Sequence, residues 1–187
     1  MSIDTAFTHF PGLATERLQL REIRLDDAEA IFATFSDEQV MEFYGHEPHH
    51  TLSDTQELIA RIQANYTRRS SIHWGITQKG EGRVIGSCSF HHFRSEFRCA
   101  EIGYELNRAF WRQGLMFEAT SAILTYGFSE MGLQRVEAII DDLNARSKGL
   151  LLKLGFTYEG NLRQRYFFRS RFEDEHYFGL LRHEWRG

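Results

Sequence analysis

Along the chain the apolar positions change period several times, and each change marks an element. Arg17-Leu18-Gln19-Leu20-Arg21 alternates polar with apolar, the period of a half-buried strand. After Arg24 the period lengthens. Ala28, Ile31, Phe32 and Phe35 fall on one face of a helix that Asp26 or Asp27 is placed to cap. A second helix follows Ser53-Asp54, with Leu58, Ile59, Ile62 and Tyr66 at helical spacing, and the His-, Gly- and Pro-rich stretch 43–51 between them reads as a loop. Strands are expected over 72–77 and 83–93, around the turn Lys79-Gly80-Glu81-Gly82, and a third over 99–106. Helical spacing returns over 117–131 and stops at Gly132 in the C′ position. A strand over 134–140, a short helix over 147–154 closed by Gly155, and strands near 156–160 and 175–181 complete the pattern.

This order predicts a mixed α/β fold with helices packed on a mostly antiparallel sheet. The strand–helix–strand passage over 99–140 reads as a parallel, right-handed crossover, and ligands favour the point where such a sheet changes direction. No repeat or linker divides the chain, so one domain over 1–187 is expected.

Composition narrows the function classes. With 187 residues, 42% hydrophobic and 26% charged, the chain suits a single substantial core. A formal net charge of -4 provides no basic field to recruit nucleic acid. No apolar run approaches the roughly 20 residues of a membrane span, and 1–11 lacks the pattern of a secretory signal, so no membrane partner and a cytoplasmic location are expected. Cys88 and Cys99 have neither metal-type nor disulfide-type spacing and read as small buried hydrophobes.

Two blocks carry the candidate chemistry. The first is Glu101-Ile102-Gly103-Tyr104-Glu105-Leu106-Asn107 followed by Phe110-Trp111-Arg112-Gln113-Gly114-Leu115-Met116-Phe117-Glu118-Ala119, a strand running through a Gly-bearing turn into a helix. Unpaired amides at such a helix N-terminus bind anions, although one glycine before a helix is equally often a plain turn. The second block is Asp142-Leu143-Asn144-Ala145-Arg146-Ser147-Lys148-Gly149-Leu150-Leu151-Leu152-Lys153-Leu154-Gly155-Phe156.

In order and spacing these blocks resemble the GNAT superfamily, the Gcn5-related N-acetyltransferases, and in particular its ribosomal-protein alanine acetyltransferase (RimJ/RimL-like) branch. The stretches Thr15-Glu16-Arg17-Leu18-Gln19-Leu20-Arg21, Asp26-Asp27-Ala28-Glu29, Phe35-Ser36-Asp37, Val40-Met41, Glu159-Gly160 and Leu180-Leu181-Arg182-His183-Glu184-Trp185 extend the likeness over nearly the whole chain. The resemblance implies a GNAT-like sheet splayed at a central parallel pair and acetyl-CoA as co-substrate. The acceptor is then an amine, either a peptide N-terminus or a small molecule. Dimers are common in such families, which puts a homodimer among the expected states.

By the same resemblance Tyr104, Glu105 and Leu106 face the pantetheine arm, and the pyrophosphate lies over 111–116, with Arg112, Gln113, Gly114, Leu115, Met116 and Phe117 as its cradle. Asn144 and Ser147 match the element near the cysteamine end. Two departures stand out: Met116 replaces a small residue where backbone approaches the cofactor, and Leu151 occupies the position of a frequent tyrosine acid. A backbone N–H, that of Leu106, is expected to polarise the thioester. Glu101 is the first candidate base and Glu105, on the same strand face, the second; against both stands a plain surface or ion-pair role. Ser147 is the candidate proton donor to the thiolate, with helix capping as the alternative.

The remaining features are read conservatively. Of nine histidines, His49-His50 and His91-His92 invite a metal, but no His-x-x-x-His face or companion set accompanies them, so none is expected. His46, His49 and His50 lie where this fold shapes its acceptor pocket, and a solvated loop is the simpler expectation. Arg163, Arg165, Arg169 and Arg171 interleave with Tyr166, Phe167, Phe168 and Phe172. The mixture suits single-stranded RNA, but reads more simply as a strand–turn–strand whose aromatics partly cover the core. Trp74 and Phe90 read as core or pocket wall. The competing function is a non-catalytic acyl-CoA-binding sensor or interaction module.

Overall fold

A computed structural model describes residues 3–187. Among them, eight strands form one sheet: β1 (Leu13–Ala14), β2 (Leu18–Glu22), β3 (Ile72–Gln78), β4 (Val84–Arg94), β5 (Cys99–Leu106), β6 (Arg135–Asp141), β7 (Thr157–Phe168) and β8 (Arg171–Leu181). Their spatial order is β1-β2-β3-β4-β5-β6-β8-β7. Every neighbouring pair is antiparallel except β5 and β6, which run parallel. That pairing covers only Cys99↔Arg135 to Glu101↔Glu137, although both strands continue beyond it. From Ile102 and Ala138 onward they diverge, so the expected splayed parallel pair is present.

Helices α4 (Leu115–Ser129) and α5 (Ala145–Lys153) cover one face of the sheet. Their Leu115, Ala119, Ile123, Leu124 and Leu151 join Trp74, Cys88, Phe90, Ile102, Val136 and Phe178 in the main core. On the opposite face α1 (Ala28–Phe35), the single turn α2 (Glu38–Met41) and α3 (Leu52–Thr67) cover only the β2–β4 half. There Ile31, Phe35, Ile59 and Ile62 pack on Ile23 and Val84. The β6–β8–β7 half of this face instead carries charge, with Arg135 paired to both Glu137 and Glu159. Both cysteines are buried and free, and Trp74 and Phe90 are fully buried, as the sequence suggested.

Several boundaries differ from the sequence reading for identifiable reasons. Neither Asp26 nor Asp27 caps α1 through its side chain. The Asp27 carboxylate instead accepts the Arg24 N–H at 2.8 Å and a two-point contact from Arg21 at 2.7 and 2.8 Å, closing a short 3₁₀ turn. Thr51 opens α3 through a reciprocal cap with Asp54. Helix α4 begins two residues early because Gly114 turns the chain at φ 76°, and it ends at Ser129 with Glu130 as its C-cap, two residues short of the expected stop, so that Gly132 at φ 70° falls in the turn that follows. The largest difference is the last hairpin. Both its strands reach the turn at Arg169 and Ser170, and Phe167 and Phe172 are 63% and 62% exposed. These two aromatics therefore pack on each other and not over the core.

Candidate active site

A cavity of about 1230 Å³ opens where β5 and β6 part. Side chains of both sheet faces line it. Tyr104, Leu106, Ser147 and Leu150 belong to the α4/α5 side, and His73, Ser89, His91, Glu101 and Glu105 to the α1/α3 side. Strand alternation divides them: Tyr104 and Leu106 point one way, Glu101, Gly103 and Glu105 the other. The gap is therefore a passage through the sheet with a chamber on each side. Glu105 faces the chamber opposite Tyr104 and Leu106, a correction to the grouping of all three against one arm.

On the α4/α5 side the turn 111–114 presents an anion cradle. Arg112 and Gly114 both have positive φ, 60° and 76°, which aims successive amides inward. The first helical bond of α4 is Glu118 N–H to Gly114 O at 3.1 Å. The amides of Leu115, Met116 and Phe117 thus precede any i−4 acceptor. A Cβ at Gly114 meets only the Arg17 guanidinium, at 3.5 Å, so the approach to this backbone is open. Met116 turns its side chain onto the edge of the core, and Phe117 lies under Lys153 Nζ at 4.6 Å. The cradle fits a pyrophosphate in spite of the unusual sequence.

Sequence reasoning missed what holds this turn. Arg17 donates to Gln113 O at 3.0 Å and to Glu118 Oε2 at 2.6 Å, while its own N–H donates to Glu118 Oε1 at 2.8 Å. These partners lie about a hundred residues apart in sequence, and no local pattern announces them.

At the gap itself Asn107 N–H donates to Ile85 O at 2.8 Å. Alternation along β5 then turns the amides of Leu106 and Tyr104 away from β4, toward the opening. The Leu106 carbonyl is held by the Trp111 indole N–H at 2.7 Å. Tyr104 and Ser147 hydroxyls lie 2.6 Å apart, and burial raises the Tyr104 pKa. A tyrosine hydroxyl thus stands at the gap although position 151 is leucine. Ser147 does not cap α5. Asn144 does, its Oδ1 accepting the Ser147 N–H at 3.0 Å, which leaves the Ser147 hydroxyl to Tyr104 and the cavity.

In the opposite chamber burial pushes the Glu105 carboxyl up to about 7, partly offset by the hydroxyls of Ser87 and Tyr44, which donate to it. Burial, and then the Glu105 charge, raise the Tyr44 hydroxyl well above its usual range. Glu101 is engaged differently, with its Oε2 3.0 Å from His92 Nδ1. Burial holds His73 down at about 4, so it is neutral at pH 7. Of the loop histidines, His46 lines the cavity, whereas His49 stacks on Phe35 and bonds Thr55 Oγ1 at 2.7 Å. Arg146 closes the rim: it reaches Glu42 at 3.0 Å and lies over the Trp111 ring at 4.5 Å.

Residues 17–157 match the acetyltransferase (GNAT) domain, and the chain belongs to that family. It is 43% identical over 155 residues to YoaA of Bacillus subtilis, described as an uncharacterized N-acetyltransferase, covering 83% of this chain and 88% of that protein. It is 28% identical over 153 residues to the [ribosomal protein uS5]-alanine N-acetyltransferase of Escherichia coli, with 79% of each chain covered. A crystal structure of a GNAT-family acetyltransferase from Bacillus anthracis superposes with a TM-score of 0.84 at 27% identity, covering 93% of this chain and all of that one. The protein is an N-acetyltransferase, and the family places it on the enzyme side of the two functions weighed from sequence.

Proposed function

We propose that the protein transfers the acetyl group of acetyl-CoA to a primary amine by direct attack on the thioester, with Glu105 as general base. The observation that carries this reading is the passage through the sheet. It sets a carboxyl of pKa about 7 on one side and the amide cradle with the Ser147–Tyr104 pair on the other.

The α4 N-terminus and Arg112 hold the pyrophosphate, and the open edge of β5 pairs with the pantetheine arm; the co-substrate supplies the activated acyl carbon. The amine enters from the α1/α3 side. Its nitrogen attacks the carbonyl carbon while its proton passes to Glu105, directly or through one water. The Leu106 N–H stabilises the charge that develops on oxygen. The carbon–sulfur bond breaks, and the departing thiolate takes a proton from Ser147, which Tyr104 backs. A carboxyl poised near neutral pH suits proton acceptance better than one already hydrogen-bonded to a histidine, so Glu105 takes precedence over Glu101.

The acceptor chamber combines Glu105, the neutral His73 and the rings of Phe43 and Tyr44, which favours a primary amine attached to a group able to lie on aromatic rings. The Escherichia coli relative, a ribosomal-protein alanine N-acetyltransferase, makes a protein N-terminus the first acceptor to test. Thiol release from acetyl-CoA with peptide and small-amine panels tests the whole reading. Turnover with at least one amine, lowered about a hundredfold or more in Glu105→Gln with unchanged acetyl-CoA affinity, is expected. An undiminished Glu105→Gln enzyme returns the base to Glu101, water or the substrate.

A further inference from the structure

His91 and His92 are consecutive residues of β4, and a regular strand sends consecutive side chains to opposite faces. Here they do not separate. The ladder pairs His91 with Glu101 and next Arg94 with Cys99, so His92 and Phe93 together stand opposite Ala100 alone. This is a β-bulge, a device that re-aims side chains. Within it His92 adopts φ 48°, the left-handed region that non-glycine residues seldom occupy.

The result is that both imidazoles meet the carboxylate of Glu101 across the ladder. The rings are 4.7 Å apart edge to face, and His92 Nδ1 is 3.0 Å from Glu101 Oε2. One ligand atom from each of the three residues lies within 4.8 Å of the others, the only such group among the described residues. His91 and Glu101 also line the acceptor chamber, while the His92 ring is mostly in solvent.

We infer that His91, His92 and Glu101 form a binding site for a divalent metal ion of the zinc class at the mouth of the acceptor chamber. Two imidazoles and a carboxylate suit late first-row ions better than calcium or magnesium, which prefer oxygen donors. Three protein ligands leave at least one coordination position free, and the two residues shared with the chamber turn it toward the acceptor. A simple His92–Glu101 ion pair would explain neither the approach of His91 nor the left-handed backbone at His92. The sequence concealed the site because its third ligand lies nine residues on, across a turn, and because adjacent histidines in a strand are expected to part.

The test is titration of untagged, chelator-treated protein with zinc chloride against a chromophoric zinc indicator. His92→Asn keeps a residue that tolerates the left-handed backbone, while His91→Gln and Glu101→Gln remove the other ligands singly. The wild type is expected to take up one equivalent, and each substitution to weaken uptake at least about tenfold. Cobalt(II) added to the wild type is expected to develop visible absorption bands that His92→Asn lacks. Melting curves recorded without metal establish that all three variants are folded. Wild-type protein that takes up no zinc equivalent, or folded variants that all match its affinity, overturns the assignment.

Discussion

The two glutamates of β5 share a strand face and differ by four residues, yet their surroundings give them different chemistry. Glu101 stands at the edge of the splay beside two histidines. Glu105 lies deeper, under Ser87 and Tyr44. Period two placed both on one face from the sequence, but it contained no information about depth, and that is why the order of preference reverses. If Glu105 is the base, kcat/KM rises with pH through about 7 and the rising limb disappears in Glu105→Gln. A profile unchanged by the substitution contradicts the assignment.

The same carboxyl predicts a pH effect on stability. Its folded pKa lies above its unfolded value, so between roughly 4.5 and 7 the native state holds more protons than the unfolded one, and stability falls as pH rises. Glu105→Gln removes this loss. Relative to the wild type its stability is expected to improve between pH 4 and pH 8 by about 1–3 kcal/mol in urea melts. Ser147 was also partly legible. The Asn-x-x-Ser spacing suggested its place, but that Asn144 takes the cap and leaves the Ser147 hydroxyl to Tyr104 is a matter of local geometry that the spacing does not contain.

At the scale of elements, α4 and its turn were readable because Gly114 and the change of period are local signals. For β7 and β8 the strand–turn–strand around 163–172 was readable too, but the reach of the two strands was not, since 163–165 lie in a register irregularity between the pairs Leu162↔Glu175 and Tyr166↔Glu173 that no apolar alternation announces. Residues that join β4 to β5 show how closely the acyl site depends on strand contact. A Cβ at Gly86 comes within 2.4 Å of the Glu105 carbonyl oxygen and 2.9 Å of the Leu106 Cα, both backbone atoms that cannot swing away. Gly86→Ala is expected to destabilise by about 1–3 kcal/mol and to depress kcat by displacing Glu105 and the Leu106 amide together. Unchanged turnover in a folded Gly86→Ala enzyme places the acyl site elsewhere. Gly114→Trp, whose side chain fills the mouth of the amide cradle, is expected to abolish acetyl-CoA binding by calorimetry. Retained affinity means the phosphates lie off this turn.

Across the whole molecule, the order of strands and helices followed from hydrophobic period and turn residues, and the resemblance supplied the splay. Contacts between remote segments were not legible. The Arg17–Glu118 clasp fastens the start of β2 to the turn 111–114 and the first turn of α4, and each partner reads by itself as an ordinary surface charge. Arg17→Ala is expected to raise the KM for acetyl-CoA about tenfold with a smaller change in the acceptor KM, because it loosens the turn without touching the acceptor chamber. Equal effects on both constants contradict a role confined to the cradle.

The passage between β5 and β6 has a consequence for kinetic order. If acetyl-CoA and the acceptor take the two sides of this passage as proposed, neither reactant lies in the other's way out. The spent thiol and the acetylated amine can leave independently, and a bulky acceptor such as a protein chain needs to thread only its terminus. Initial-rate plots at several fixed acceptor concentrations are therefore expected to intersect, the signature of a ternary complex. Parallel lines would require an acyl group parked on the enzyme between two visits to one shared door.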